Sequence, residues 1–432
     1  MKFSLPSLLC VAALFSFTQL THAQMDTDKY DDDPYWGTSV YHPYIFREEL
    51  DTKAPKGFKP FYISHYGRHG SRRQTASNCK NAYEIMTKAE KAGILTPEGK
   101  ALYKDIATLY QYHEGMMGEL APRGAREHRM LARRMRERFP AVFRNKKRSD
   151  VFCQSSTVPR CLVSMANFTS SLQHEVPRLN FDYITGEKYM DLLAHDFYKS
   201  SEIFASDNRL FDSLTRANVN PERIMHTFFI DDKARVGAVV TDTVKLLKGF
   251  YTTGAVCGCV EELGINLYKT YFTKDEIVPL AIAYNNRIFG NYGHSTEFGD
   301  RCSWAAKWLL EDILNRADKA MEPGSTLAAD LRFGHDTGIM PLAALIRLEG
   351  FDRQVPRAEA HKYFDTAVMM TMATNMQLVF YRNRNGLILV KILYNEKETL
   401  IPELSAYDGP YYKWSDVRAY FAKLCADKSD PV

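Results

Sequence analysis

Three short apolar runs punctuate this chain, each closed by glycine or small polar residues and followed by a helical pattern. Phe61-Tyr62-Ile63 runs out into Gly67 and Gly70 and reads as a buried strand opening into a glycine-rich loop. Val151-Phe152-Cys153 ends in Ser155-Ser156-Thr157 and Pro159, ahead of a helical stretch from Leu162 to Leu172. Leu327, Ala329, Leu331 and Phe333 alternate, and Gly334 then leads to Thr337 and an apolar helix from Ile339 to Leu348. This recurrence predicts an α/β fold, a sheet with flanking helices. In open sheets of this kind ligands gather at the carboxyl ends of the strands, so the three loops are expected to converge there.

Between the second and third units helical periodicity dominates, in Ala234 to Phe250, Ile277 to Phe289 and Trp304 to Leu314. Residues 166–321 are therefore expected to form a mostly helical cap inserted between the core segments 58–165 and 322–432. Residues 24–57, with the acidic run Asp31-Asp32-Asp33 and three prolines, have no clear period and read as an irregular arm over the core. Met376 to Tyr381 and Leu387 to Leu393 flank Asn385-Gly386, a hairpin signal. Ser415 is placed to cap a final helix through Leu424.

Composition narrows the class. Lys and Arg number 56 against 52 Asp and Glu, a formal charge of +4 that is too balanced to announce nucleic acid or a membrane surface as partner. Any anion binding must be local. Lys2, the apolar run Leu5 to Phe17 and Thr21-His22-Ala23 have the pattern of a signal peptide over 1–23, so the mature protein is expected to be exported, periplasmic or secreted. The run is too short to span a bilayer, which needs about 20 apolar residues, and no integral membrane segment is expected. Seven cysteines lie beyond residue 23: Cys79, Cys153, Cys161, Cys257, Cys259, Cys302 and Cys425. An exported setting favours structural disulfides, with at least one thiol left over. Cys257-Gly258-Cys259 has no second pair or nearby histidine to complete a zinc set.

The chemistry is concentrated in the loops. Arg68-His69-Gly70-Ser71-Arg72-Arg73 follows directly on a strand. A guanidinium fork matches phosphate oxygens bidentately and stays charged at any working pH, so Arg68 and Arg72 suit a dianion cradle. His69 between them could take a phosphoryl group covalently and release it to water. The competing reading is a basic surface loop. Gly334-His335-Asp336-Thr337 opens a helix, where His335 could hold a phosphate oxygen and Asp336 could protonate a leaving group. Here the competing reading is a plain helix cap. Arg160, after Pro159, is by itself indistinguishable from a surface arginine.

Together the three loops resemble the branch of the histidine phosphatase superfamily that holds the histidine acid phosphatases, phytases and multiple inositol-polyphosphate phosphatases. Arg68-His69-Gly70-Ser71-Arg72 matches the first motif of that family, Ser155-Ser156-Thr157-Val158-Pro159-Arg160 with Ser164 the second, and His335-Asp336 the third, in the family's order. Leu120-Ala121-Pro122-Arg123-Gly124, with Glu127-His128 and Leu131, looks like the helix between the first two loops. The resemblance implies a histidine phosphatase core with a helical cap, His69 as nucleophile, Arg68, Arg72, Arg160 and His335 as phosphate ligands, and Asp336 as the acid. Two departures stand out. Gln74 occupies the place of the family's proline, and the late pair is His-Asp, as in bacterial phytases, where the inositol-polyphosphate group has His-Ala-Glu.

Three arginines can neutralise the developing charge, so no metal or other cofactor is expected. Asp336 beside a bound dianion should have a raised pKa, which fits an acidic optimum. The expected partner is a small-molecule phosphate ester, either phytate or another inositol polyphosphate, or a sugar or other monophosphate. Arg73 is the candidate for a second phosphate contact. An exported binder of phosphorylated ligands could use the same arginines without turnover, but would gain nothing from a carboxyl aimed at the ester. One residue too many lies between Cys153 and Arg160 for a thiol phosphatase loop, and the chain has no P-loop or His-Glu-x-x-His pair. His65, His128 and His294 read as structural.

Overall fold

The computed structural model describes residues 24–194 and 202–426. The segment 1–23, with the signal-peptide pattern, lies outside the described residues.

Eight strands form one mixed sheet: β1 (Lys59–Arg68), β2 (Asp150–Ser155), β3 (Asn180–Thr185), β4 (Leu327–Gly334), β5 (Asn375–Arg382), β6 (Ile388–Tyr394), β7 (Lys397–Glu398) and β8 (Tyr411–Lys413). The order is β3-β2-β4-β1-β5-β6-β7, with β8 pairing with β6 beside β7. The strands from β3 to β1 run parallel, and β5 turns antiparallel against β1. Helices cover both faces, so the central strands are buried on both sides and read in sequence as continuous apolar runs. In β1, Tyr62 and Tyr66 enter one core while Ile63 enters the other, packed with Val151, Leu331 and Val379.

All three anticipated strand-loop-helix units are present. The helices that follow β2 and β4 are Pro159–Glu175 and Asp336–Leu345. The hairpin joins β5 to β6 through Gly386, whose φ of +83° only glycine adopts readily. Three details differ from expectation. The sheet extends beyond residue 165, since β3 pairs along its length with β2; as a half-exposed edge strand it carries no clean apolar alternation to announce it. The helical stretch from 234 to 250 is two helices, Lys233–Val239 and Thr243–Gly254, divided where the Asp242 carboxylate caps the second by accepting from the Lys245 N–H. Ser415 lies inside the final helix, Trp414–Ala426, and its hydroxyl bonds to Asp416.

The disulfides expected from an exported setting do not form. All seven described cysteines are free thiols, six of them buried. They serve as small core side chains that donate to nearby carbonyls, Cys161 to Gly334 at 3.2 Å, Cys259 to Tyr41 at 3.2 Å and Cys302 to Gly290 at 3.4 Å. No described helix is long and apolar enough to cross a membrane.

Candidate active site

The register of the sheet brings the three loops together. Arg68 at the end of β1 faces Gly334 at the end of β4, and Ser155 at the end of β2 faces Phe333. Each chain therefore leaves the sheet at the same carboxyl edge. The backbone N–H of His69 donates to the Gly334 carbonyl at 2.9 Å, and that of Ala373 to the His69 carbonyl at 3.0 Å.

Glycine at position 70 allows the first loop to lie against the helix Pro122–Arg138. A Cβ there would stand 2.6 Å from the Gly124 carbonyl oxygen, and one at Gly124 would strike the backbone of Ser71. From that helix the buried Glu127 carboxylate accepts from the Ser71 N–H and hydroxyl, both at 2.7 Å, and from the Tyr44 N–H at 3.2 Å. Gln74, in the place of the family's proline, is fully buried, and its amide donates to the Thr252 carbonyl on the helix Thr243–Gly254. A hydrogen bond to the cap thus anchors the loop where a ring would have stiffened it.

His69 is buried, and its Nδ1 lies 2.9 Å from the Gly70 carbonyl. A carbonyl can only accept, so Nδ1 carries the proton and Nε2 presents a lone pair. Burial first, and then Arg160, Arg68, His335 and Arg72, push the imidazole well below its ordinary 6.5. The ring is neutral even in mild acid. The rings of His69 and His335 are 5.7 Å apart, edge to face. His335 Nε2 is 3.0 Å from the Ser156 hydroxyl, and Arg160 Nη2 is 3.4 Å from His335 Nδ1.

Arg68 is almost wholly enclosed. Nη1 donates to the carbonyls of Val40, Met370 and Thr371, at 2.7, 2.8 and 3.0 Å, and Nη2 to Asp336 Oδ2 at 3.0 Å. Asp336 is not the helix cap: His335 occupies that position, and Asp336 begins the helix. Burial alone would raise the Asp336 carboxyl, but Arg68, His335, Arg72 and Arg160 outweigh it and hold the carboxyl below the ordinary carboxylate range. The balance these neighbours set is thus opposite to the one expected beside a bound dianion.

Arg68, His69, Arg72, Arg160, His335 and Asp336 accordingly share one site. Arg73 turns aside from it, its guanidinium lying 3.8 Å over the Tyr112 ring and donating to the Tyr112 carbonyl. The cap supplies a different cation. Arg72 lies 5.0 Å over the Tyr41 ring, the Tyr41 and Tyr284 rings are 6.3 Å apart, and Arg287 lies 4.8 Å over the Tyr284 ring. Two cations are thus joined through two phenols, from the first loop to the helix Lys274–Tyr292. The arm, through Val40 and Tyr41, is part of the site wall rather than a mere cover. No local motif marks either residue, because Val40 acts through its carbonyl and Tyr41 is one aromatic among many.

His65 and His128 are buried against Phe168 and Phe333, and His294 pairs with Asp300 at 3.1 Å. All three stand where structural histidines are expected.

Residues 67–209 match the family model described as histidine phosphatase superfamily, branch 2. Together with the loop motifs and the fold, this match supports the branch of the histidine acid phosphatases and phytases, and a phosphatase. The chain is similar to multiple inositol polyphosphate phosphatase 1 of Gallus gallus, 24% identical over 393 residues that cover 86% of this chain and 84% of the relative. The Homo sapiens protein of the same name is 24% identical over 66% of this chain and 62% of its own. Among solved structures, the Bifidobacterium longum multiple inositol polyphosphate phosphatase in complex with inositol hexasulfate superposes with a TM-score of 0.76 at 19% identity, covering 91% of this chain and 99% of the other. The phytase from D. castellii gives 0.65 at 15% identity, covering 91% and 85%.

Proposed function

We propose that this phosphatase hydrolyses inositol polyphosphates without a metal, through a phosphohistidine intermediate. The observation that carries the reading is the state of His69, a neutral imidazole with Nδ1–H tied to a carbonyl and Nε2 left as a lone pair among three guanidiniums. The ester phosphate enters the cage of Arg68, Arg72, Arg160 and His335. Nε2 of His69 attacks phosphorus while the P–O bond to the alcohol breaks, and Asp336 gives the departing oxygen its proton. Water then attacks the phosphohistidine, Asp336 recovers a proton from it, and inorganic phosphate leaves with His69 neutral again. The arginines are most useful as the phosphorane-like charge spreads, when preorganised donors cost no rearrangement.

A polyphosphorylated ring is favoured over a monophosphate because the cap brings Arg287 towards the cage through Tyr41 and Tyr284, a cation that a lone phosphate would not need. The names of the relatives point the same way. The signal-peptide pattern over 1–23 favours export.

The deciding experiment is phosphate release in the presence of a chelator, from phytate and from sugar and nucleotide monophosphates. Rapid release that prefers phytate is expected. Preference for monophosphates would make the enzyme a general acid phosphatase, and binding without release would leave it a receptor.

A further inference from the structure

Tyr66 stands two residues before Arg68 on β1 and is fully buried. Its hydroxyl donates to the Leu193 carbonyl at 2.6 Å and accepts from the His335 backbone N–H at 3.2 Å. One phenolic proton satisfies one strong acceptor, so the nearer Leu193 fixes the hydroxyl and turns its lone pair towards His335. His335 is the N-cap of the helix Asp336–Leu345, and none of the cap's own side-chain atoms satisfies that helix end. The space is made by two glycines. A Cβ at either Gly334 or Gly338 would overlap the Tyr66 hydroxyl.

The same short segment touches the second loop. Leu193 belongs to the helix Met190–Ala194, and Met190 Sδ lies 3.2 Å from both the N–H and the hydroxyl of Thr157, three residues before Arg160. Tyr66 thus holds the third loop from beneath and ties it to the segment that braces the second.

We propose that Tyr66 is a positioning residue for the catalytic loop, its hydroxyl fixing the start of the Asp336–Leu345 helix and thereby aiming the Asp336 carboxyl at the leaving oxygen. The inference rests on Asp336 being the acid. A phenylalanine ring would fill the same volume but offer no acceptor, so the His335 N–H would tilt away to find another.

The test uses leaving-group dependence, which a loss of folded enzyme cannot mimic. An inositol phosphate releases an alkoxide that needs a proton, whereas p-nitrophenyl phosphate releases a stable phenolate that does not. Tyr66→Phe is expected to lower kcat on the inositol ester by about 10-fold or more, and on the aryl ester by no more than about 2-fold, with KM little changed. Gly338→Ala keeps the hydroxyl but displaces it and should give the same split, so it stands in if Tyr66→Phe folds poorly. Asp336→Asn is the reference. If it fails to separate the two esters, the acid assignment itself falls. If it separates them while Tyr66→Phe and Gly338→Ala depress both esters equally, or neither, the positioning role is overturned and the acid assignment survives.

Discussion

Arg68 and Asp336 meet at 3.0 Å, Nη2 to Oδ2, although 268 residues separate them along the chain. The contact favours the ionised carboxylate. An entering phosphate dianion competes for the donors of Arg68 and adds a like charge, both of which raise the affinity of Asp336 for a proton. The alkaline limb of kcat should therefore lie at higher pH than the titration of this carboxyl in free enzyme, and Asp336→Asn should lose the limb. In kcat/KM, which reports the free enzyme, no acid limb centred near 6.5 is expected, because His69 is held well below that value. Profiles of kcat and kcat/KM from about pH 3 to about pH 8 check both limbs, and an acid limb of kcat/KM near 6.5 would contradict the neutral nucleophile.

Removing the nucleophile should be close to complete in effect. His69→Ala is expected to lose at least about 10³-fold in kcat, since the remaining cage binds the ester but opens no covalent route. Rapid alkaline quenching of the parent enzyme with substrate should give a phosphorylated peptide containing His69. Turnover near the parent level in the variant would sink the assignment.

Arg287→Met tests the cap's contribution. A charged hydrogen bond to a second phosphate contributes about 1.5–3 kcal/mol, so kcat/KM for phytate should fall by roughly 10- to 150-fold. The value for a simple monophosphate should change by less than about 3-fold, because the cage around His69 is untouched. Equal losses on both would remove Arg287 from substrate recognition.

Glu127 has a purely structural task. Its buried carboxylate serves two Ser71 donors and the Tyr44 N–H, and Arg123 stands 3.6 Å away. Glu127→Ala strands those donors and should cost about 3 kcal/mol of stability by denaturant titration, while Glu127→Gln, which keeps an acceptor, should cost less.

Acid should weaken the fold through its buried histidines. Burial, aided for His65 by the neighbouring His128 and Arg332, lowers His65 to about 3, and burial likewise lowers His128 to about 3. Both take up protons more readily when unfolded, so stability is lost as pH falls from 6.5 towards 3, at up to about 1.4 kcal/mol per pH unit for each. Thermal unfolding at successive pH values should become flatter in His65→Leu and His128→Leu.

The loops were legible in the sequence because their information is local: a strand, a glycine, then charged residues at fixed spacing. His69, Arg68 and Arg72 could be named from a single hexapeptide. Tyr41, Tyr66 and Arg287 could not, since Tyr66 acquires its meaning from the Leu193 carbonyl and the His335 N–H, and Arg287 approaches the first loop only by way of Tyr284 and the distant Tyr41. Glu127 was visible as part of a helix resembling the family's, but its grip on Ser71 depends on the Gly70–Gly124 approach, which only the packed structure reveals. The expected disulfides misread the same kind of signal. A cysteine's environment, rather than its number or compartment, decides whether it pairs.

The order in which strands enter the sheet has a bearing on biosynthesis. β1 lies at the centre, yet its parallel partner β4 is made more than 250 residues later and its antiparallel partner β5 later still. Pairings this distant in sequence close slowly, so a nascent chain carries its arginines and His69 on an unpaired strand until nearly all of it has been synthesised. Phosphatase activity should then appear only with the finished polypeptide.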